Sequence, residues 1–471
     1  MNINHYFPKN LLLFLRKLEN DCDAKVYITG GAVRDALLER QPHDFDVEVH
    51  EVEIVDLHNY LESVGVRFKF AGNQFPVWHC YIENCEFQIA LPRSERSTLI
   101  SHDGFEVTVD PFMGVDEAAK RRDVTINAIY MDCYGNIYDT VNGVDDLRNG
   151  LIRPVSEHFC EDPLRVMRVF RQASQLGFTP SVAAVNYGKF LFDYYKTLEP
   201  NTVADEWLKW STSKFPHIGI KYLIDTGWIA HFPVLQKLVG CKQSPVHHPE
   251  GDVMTHTMLV LELSGLLEFD NPVDRQAQTF ACLLHDSGKP ETQVEYEDGN
   301  VTNYGHEDVS AVKAKEFLVA IHPEKFNFII NKVAELVVNH MMFHNINEIS
   351  KRSVRRAMFN LKFNTFEELL YLIASDVMGR QLTEVVEEEA IELIVRLHNV
   401  SISVTSETKA PTLQRVIDGK FLVSKGVKPG VQYGLILKDC ENSQIDGILT
   451  LENREEWWKA YCQNASTIEY V

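Results

Sequence analysis

The chain has 471 residues, of which 45% are hydrophobic and 24% charged, and its formal net charge is −21. This length exceeds the usual single domain and the composition is that of an ordinary folded chain, so several domains with sizeable cores are expected. No apolar run approaches the roughly 20 residues of a membrane span, Leu11–Leu15 is too short and lacks a cleavage pattern for a signal peptide, and the nine scattered cysteines form no C-x-x-C pair. A cytoplasmic chain with no membrane partner, no disulfide framework and no thiolate zinc site is therefore expected.

In chain order, Lys25–Thr29 reads as a short strand broken by Gly30-Gly31, and Ala32–Arg40 has helical composition. Asp44–Val49 alternates acidic and apolar residues with period two, as a half-buried strand does. Val107–Pro111, Ile126–Met131 and Ile137–Tyr138 read as further strands or strand edges, and from about Glu161 to about Leu397 the pattern is helical. Beyond Val400, Lys428-Pro429-Gly430 and Asp446-Gly447 are turn signals in a small mixed segment. The acidic total argues against a nucleic-acid partner, but phosphate binding depends on local fields. Basic clusters stand at Lys120-Arg121-Arg122, at Arg165, Arg168 and Arg171, and at Lys351-Arg352 with Arg355-Arg356. Each reads either as a solvated helix face or as part of a patchy surface for a structured RNA.

The first chemical constellation is Gly30-Gly31-Ala32-Val33-Arg34-Asp35 followed by Asp44-Phe45-Asp46. Two glycines after a strand let the backbone approach an anion, and the helix N-terminus behind them offers free N–H donors. Arg34 adds a charge for phosphate. Residues two apart on a strand share a face, so Asp44 and Asp46 project together, and such a pair calls for a hard cation such as Mg²⁺. The second constellation is His256, His285-Asp286 and Asp376, with His306 and His340 as further ligand candidates and Lys289 placed to balance a phosphate. Imidazole and carboxylate ligands suit Mn²⁺, Ni²⁺, Fe²⁺ or Mg²⁺. The alternative is a helical scaffold whose histidines satisfy polar groups in its core.

Gly30–Asp35, Asp44-Phe45-Asp46, Arg121–Ala128 and Glu161-Asp162-Pro163-Leu164-Arg165 occur in an order and spacing that resemble the class II tRNA nucleotidyltransferases and bacterial poly(A) polymerases, in particular the bacterial CCA-adding branch with an HD domain. The second constellation resembles the HD phosphohydrolases. The resemblance implies an α+β fold: a polymerase-β-like nucleotidyltransferase head over 1–150, an all-helical neck over 151–245 that recognises the base, an HD domain over 246–398 and a small tRNA-binding tail over 399–471. It implies CCA addition to tRNA from CTP and ATP. Partial CC or A addition, poly(A) addition, or a chiefly hydrolytic HD protein are the alternatives, in a monomer or a homodimer.

By the same resemblance, Asp44 and Asp46 are the Mg²⁺-binding catalytic carboxylates, and Gly30, Gly31 and Arg34 bind the triphosphate. Arg122, Asp123 and Asn127 contact the sugar and phosphates, while Glu161, Asp162 and Arg165, with Arg168 beside them, read the base. In that picture Glu161 steadies Arg165. Ser94–Gly104 is then a mobile loop that helps the switch from C to A addition. The HD domain would take a transition metal or Mg²⁺ and hydrolyse terminal or cyclic phosphates. The chain departs from the family pattern at Gln88, where an acidic residue is usual, at Val203-Ala204-Asp205-Glu206 in the neck, and at Thr140-Val141.

Overall fold

A computed structural model describes residues 3–71, 76–97, 105–343, 347, 349–380, 384–408 and 414–464. The chain divides into two compact units, Met1–Pro233 and Val234–Val471. Among the described residues no helix is long and apolar enough to cross a membrane.

The first unit opens with α1 (Lys9–Cys22), β1 (Lys25–Thr29), α2 (Gly31–Leu37), β2 (Phe45–His50), α3 (Ile54–Ser63), β3 (Arg67–Ala71), β4 (Val77–Ile82) and β5 (Cys85–Ala90). It continues through β6 (Arg93–Ser97), β7 (Phe105–Val109), α4 (Val115–Lys120), β8 (Tyr130–Asp132), β9 (Ile137–Tyr138), α5 (Gly143–Arg148) and β10 (Leu151–Ile152). Seven strands form one sheet in the order β3-β4-β5-β2-β1-β8-β9, with β2 and β5 parallel and the other neighbours antiparallel. Alternation divides the two faces of this sheet. Val26, Ile28, Phe45, Val47, Val49, Phe87 and Ile89 turn to one side and join Leu11, Leu15 and Leu18 of α1, Val33 of α2 and Leu57 and Leu61 of α3 in a single core. That leaves the other face for the polar positions of β2.

The helical neck follows: α6 (Leu164–Leu176), β11 (Thr179–Pro180), α7 (Val182–Phe190), α8 (Pro200–Trp210) and α9 (Pro216–Thr226). Gly177 ends α6 in the left-handed conformation. Pro200 and Pro216 open α8 and α9, where their missing N–H groups cost nothing. Phe170 of α6 stacks on Trp210, with ring centroids 5.6 Å apart, and Trp207 lies against both.

The second unit begins within α10 (Pro233–Gln236) and contains α11 (Val253–Ser264), α12 (Pro272–Leu284), α13 (Lys289–Thr292), the small hairpin β12 (Val294–Glu295) and β13 (Val301–Thr302), α14 (His306–Ile321), α15 (Ile330–Asn339), α16 (Lys351–Asn360), α17 (Phe366–Met378) and α18 (Glu384–Thr408). The tail adds α19 (Gly419–Ser424), α20 (Val431–Ile445) and α21 (Arg454–Asn464) around Phe421, Leu422, Ile436, Cys440 and Trp458.

Three expectations are corrected by these elements. Thr125–Asn127 is a 3₁₀ turn, and the strand there starts only at Tyr130. The tail is helical: Lys428-Pro429-Gly430 precedes α20 and Asp446-Gly447 ends it, so the turn signals mark helix boundaries. Helix α18 runs to Thr408, past the Leu397 at which the helical pattern was expected to end. The segment read as a mobile loop is partly a hairpin, with Arg93↔Val109 to Ser97↔Phe105 in antiparallel register, and residues 98–104 lie outside the described residues.

Candidate active site and metal centre

Asp44 stands just before β2 and Asp46 on it, both exposed on the face opposite the core. Burial of its surroundings pushes the Asp46 carboxyl above its ordinary range, Arg122 opposes this and Asp44 adds to it. Such a strained acidic pair fits a divalent cation. Gly30 stands directly beside it at φ +74°, and a Cβ there would lie 3.2 Å from Asp46 Oδ2 and 3.7 Å from Arg122 Nη1. The positive φ strains any side chain there, and a Cβ would press Asp46 aside by a few tenths of an ångström. Gly30→Ala is accordingly expected to cost about 1–3 kcal/mol of stability from backbone strain. It should also slow nucleotide addition at least about tenfold by crowding Asp46, read by denaturant melts and single-turnover assays. Gln88 lies in register with Asp46 on β5 and with His79 on β4, so an amide occupies the position of the family's acidic residue.

Glu48, two residues beyond Asp46, was missed in the sequence, although the period-two alternation of Asp44, Asp46 and Glu48 points to it. It is buried, accepts from Arg121 Nη2 at 2.8 Å, Arg122 Nη2 at 3.3 Å and Tyr130 Oη at 3.2 Å, and lies 3.1 Å from His50 Nε2. Burial pushes its carboxyl up, but the His50 hydrogen bond and both arginines outweigh this and hold it well below the ordinary range. Glu48 thereby keeps Arg122 beside the Asp46 site.

A second network joins the Arg34 turn, the Asp123–Asn127 segment and α6. Arg34 donates to Asp35 Oδ1 at 2.8 Å and to Asn127 Oδ1 at 2.9 Å. Asn127 donates to Asp123 Oδ1 at 3.1 Å and to Gln172 at 3.0 Å. Asp123 Oδ2 accepts from Arg168 Nε at 2.9 Å and from Gln172 Nε2 at 3.2 Å. Burial raises the Asp123 carboxyl, yet Arg168, Asn127 and Arg165 hold it below the ordinary range. Gln172 had no signal in the sequence, because a lone glutamine on a helix carries none.

Arg165 is buried and donates to the carbonyls of His158 at 2.8 Å and Arg121 at 2.7 Å, so backbone oxygens fix its guanidinium. Glu161, expected to steady it, lies 2.9 Å from His158 Nδ1. Asp162 Oδ1 accepts from Leu164 N at 2.9 Å and opens α6. The three arginines at spacing three are not one free basic face: Arg171 pairs with buried Glu206 at 2.5 Å, in the neck segment that departs from the family pattern. At the other departure, Asp139 accepts from the backbone of Val141, Gly143 and Val144, while the Val141 side chain packs against Tyr27, Ala119, Ala128 and Tyr130. The cluster on α16 is also engaged: Lys351 and Arg355 pair with Glu407, and Arg352 with Asp446.

In the second unit, His256, His285, Asp286, His306, His340 and Asp376 are all buried and converge. His256, His285 and Asp286 form one ligand-spaced trio, and Asp286, His306 and His340 another, with Asp286 common to both. Asp376 Oδ1 lies 3.0 Å from His256 Nε2. The imidazole orientations test whether a cation fits. Nδ1 of His285, His306 and His340 donates to the backbone carbonyls of Cys282, Asn303 and Val337 at 2.8, 2.8 and 2.6 Å. Their Nε2 atoms therefore carry lone pairs when neutral, and those of His306 and His340 face each other at 3.2 Å beside Asp286 Oδ1, 3.1 Å from His306. Two lone pairs at that distance repel unless a cation or a proton stands between them, and although burial lowers the His306 imidazole, its hydrogen bond to Asp286 raises it above its ordinary range. Burial and the charge of His285 hold His340 down at about 3, so it stands ready as a neutral ligand. Lys289 Nζ, itself buried, lies 2.6 Å from Asp286 Oδ2, and Arg380 reaches Asp376 at 3.5 Å. Gly288 permits this packing, since a Cβ there would lie 2.5 Å from the carbonyl oxygen of His306.

Residues 26–153 match the Poly A polymerase head domain and residues 253–367 the HD domain. The chain is 31% identical over 394 residues to the multifunctional CCA protein of Pasteurella multocida, covering 81% of this chain and 90% of that one. Its fold is that of the Bacillus stearothermophilus CCA-adding enzyme solved with CTP, at a TM-score of 0.61 and 18% identity over 97% of this chain and 98% of the other. It is equally that of the Thermotoga maritima CCA-adding enzyme solved with tRNA, at a TM-score of 0.60 and 18% identity over 98% of each. A head carrying two carboxylates beside a Gly-Gly turn, an HD domain behind it, and this identity over most of both chains place the protein in the family of the multifunctional CCA proteins, which are nucleotidyltransferases.

Proposed function

We propose that the chain rebuilds the CCA 3′ end of tRNA from CTP and ATP without a nucleic-acid template. The observation that carries this is the continuous network from Arg34 through Asn127 and Asp123 to Arg168, which ties the triphosphate turn to the base-reading helix α6 beside Asp46. Asp44 and Asp46 would hold Mg²⁺, which when bound would supply activation of the tRNA 3′-hydroxyl and stabilisation of the departing pyrophosphate. The chain's own groups do the positioning. Gly30 and Gly31 admit the triphosphate to the turn, Arg34 and Arg122 meet its charge, and Asp162 and Arg165 present acceptors and donors to the edge of cytosine or adenine.

The reading is tested with purified protein, Mg²⁺ and three tRNAs ending before CCA, after C and after CC, each supplied with labelled CTP or ATP. Growth of all three to CCA is the expected product pattern. Extension that stops at CC, or that occurs only on the CC-ended tRNA, identifies a partial enzyme. Arg165→Ala is expected to reduce CTP/ATP discrimination at least about tenfold, because about 1–3 kcal/mol of base readout rests on such a contact. Arg165→Lys should not restore it, since one ammonium cannot span the carbonyls of His158 and Arg121. Competition assays that return wild-type selectivity for Arg165→Ala would reject the protein-template role.

A second activity is favoured by the two trios that share Asp286. The HD domain binds divalent cations through His256, His285, Asp286, Asp376, His306 and His340 and hydrolyses phosphate esters at RNA ends, with Lys289 and Arg380 balancing phosphate charge. Cations held by these residues would supply a hydroxide-level nucleophile and polarise the phosphoryl group. Release of phosphate from 2′,3′-cyclic and terminal phosphates, with Mn²⁺, Ni²⁺ and Mg²⁺ compared, tests it.

A further inference from the structure

Of the four histidines in the HD cluster, three are oriented alike. Each of His285, His306 and His340 gives its Nδ1 proton to the carbonyl three residues upstream, a neutral partner. His256 differs. Its Nδ1 faces Glu250 Oε1 at 2.9 Å in an oblique contact, while its Nε2 points to Asp376 and Asp286 at 3.0 and 3.9 Å. Glu250 lies outside the helices, on the segment before α11, and its side chain is fully buried. His248 Nδ1 meets the same Oε1 at 2.9 Å, and the His248 ring packs edge-on against His256 with centroids 4.8 Å apart. Asp252 accepts from Thr255 N at 2.8 Å and caps α11, which anchors the segment that delivers Glu250.

We infer that Glu250 is a positioning residue for the HD metal centre: it holds the Nδ1 proton of His256, turns Nε2 toward the cation site and makes this imidazole a stronger donor than the three bonded to carbonyls. The inference rests on the metal reading of the HD cluster. A carboxylate behind a histidine ligand fixes its tautomer and raises its basicity, and losing such a partner weakens metal binding about 10–100-fold. His248 is the second support of Glu250. The trio His248, Glu250 and His256 is then not a cation site of its own, although its atoms have ligand spacing, because His256 cannot offer Nδ1 and Nε2 to two cations while holding a proton on one of them.

The test is Co²⁺ titration of the full chain, followed by calorimetry and by the visible absorption of histidine-ligated Co²⁺. All proteins carry Asp46→Ala, so that the head does not compete for the ion. Glu250→Ala is expected to weaken Co²⁺ binding about 10–100-fold and to shift the absorption bands. Glu250→Gln, which keeps an acceptor of the same shape but not the charge, should fold as its parent does and fall between the two. His248→Phe should leave the number of bound ions unchanged. Binding by both Glu250 variants as tight as the parent's, with unchanged spectra, overturns the inference and leaves the metal reading standing. Loss of one bound ion in His248→Phe overturns it in favour of a separate site. A parent protein that binds no Co²⁺ overturns the metal reading and this inference with it.

Discussion

Replacing Asp46 with alanine is expected to lower CTP and ATP addition by at least about 10³-fold, since the metal-held carboxylate acts on charge that develops in the transition state. Binding of tRNA should remain within about threefold, because the carboxylate contributes nothing to phosphate attraction. Asp46 is exposed on the open face of β2, so no core contact is lost with it. The core lies on the opposite face, where Phe45 and Val47 stay in place. Filter binding and single-turnover extension separate the two effects. Equal loss of binding and rate would remove the catalytic role from Asp46. The phosphate release proposed for the HD domain should persist in this variant.

The second large effect belongs to Asp286. It is the residue common to both ligand trios, and Asp286→Ala is expected to abolish cation binding by the HD cluster and the phosphatase activity that depends on it. It should also destabilise the metal-free protein. Asp286 is buried, and burial pushes its carboxyl up, yet the charges of His285 and Lys289 hold it well below the usual range. Removing it leaves Lys289 buried without its 2.6 Å partner. Stripping one partner from a buried pair costs about 3–5 kcal/mol, measurable as a lowered denaturant midpoint with chelator present. Lys289→Met in the same background should recover part of that loss. Retained phosphatase activity in Asp286→Ala would place the hydrolytic site elsewhere.

Much of the head was legible because its signals are local. Lys25–Thr29 is the strand the composition announced, and the period-two alternation after it set which side chains of β2 share a face. The Gly30-Gly31 break, the Asp44/Asp46 pair and the His-Asp step at 285–286 are short-range patterns whose chemistry follows from residue type. The helical tail was misread because Gly430 and Gly447 are turn residues whether they separate strands or bound helices. Helix α18 was cut short at 397 for a related reason: β-branched Ile402, Val404 and Thr405 and the serines beside them lower helix propensity, and Val404, buried there, shows packing overriding it.

What the sequence determined by itself is therefore the inventory: a Gly-Gly turn with an acidic pair, a helical continuation and a His/Asp set in fixed order, whose resemblance to known families implied a nucleotidyltransferase head and an HD domain. Only the tertiary structure decided the partners of each charge. Arg165 is held by two backbone carbonyls, Arg171 is drawn off by Glu206, Glu48 fixes Arg122, and Glu250 stands behind His256. These pairings join residues up to 74 positions apart in the chain. Charge and hydrogen-bond energies depend on separation in space and on burial, and neither quantity is encoded in sequence spacing once the chain has turned back on itself.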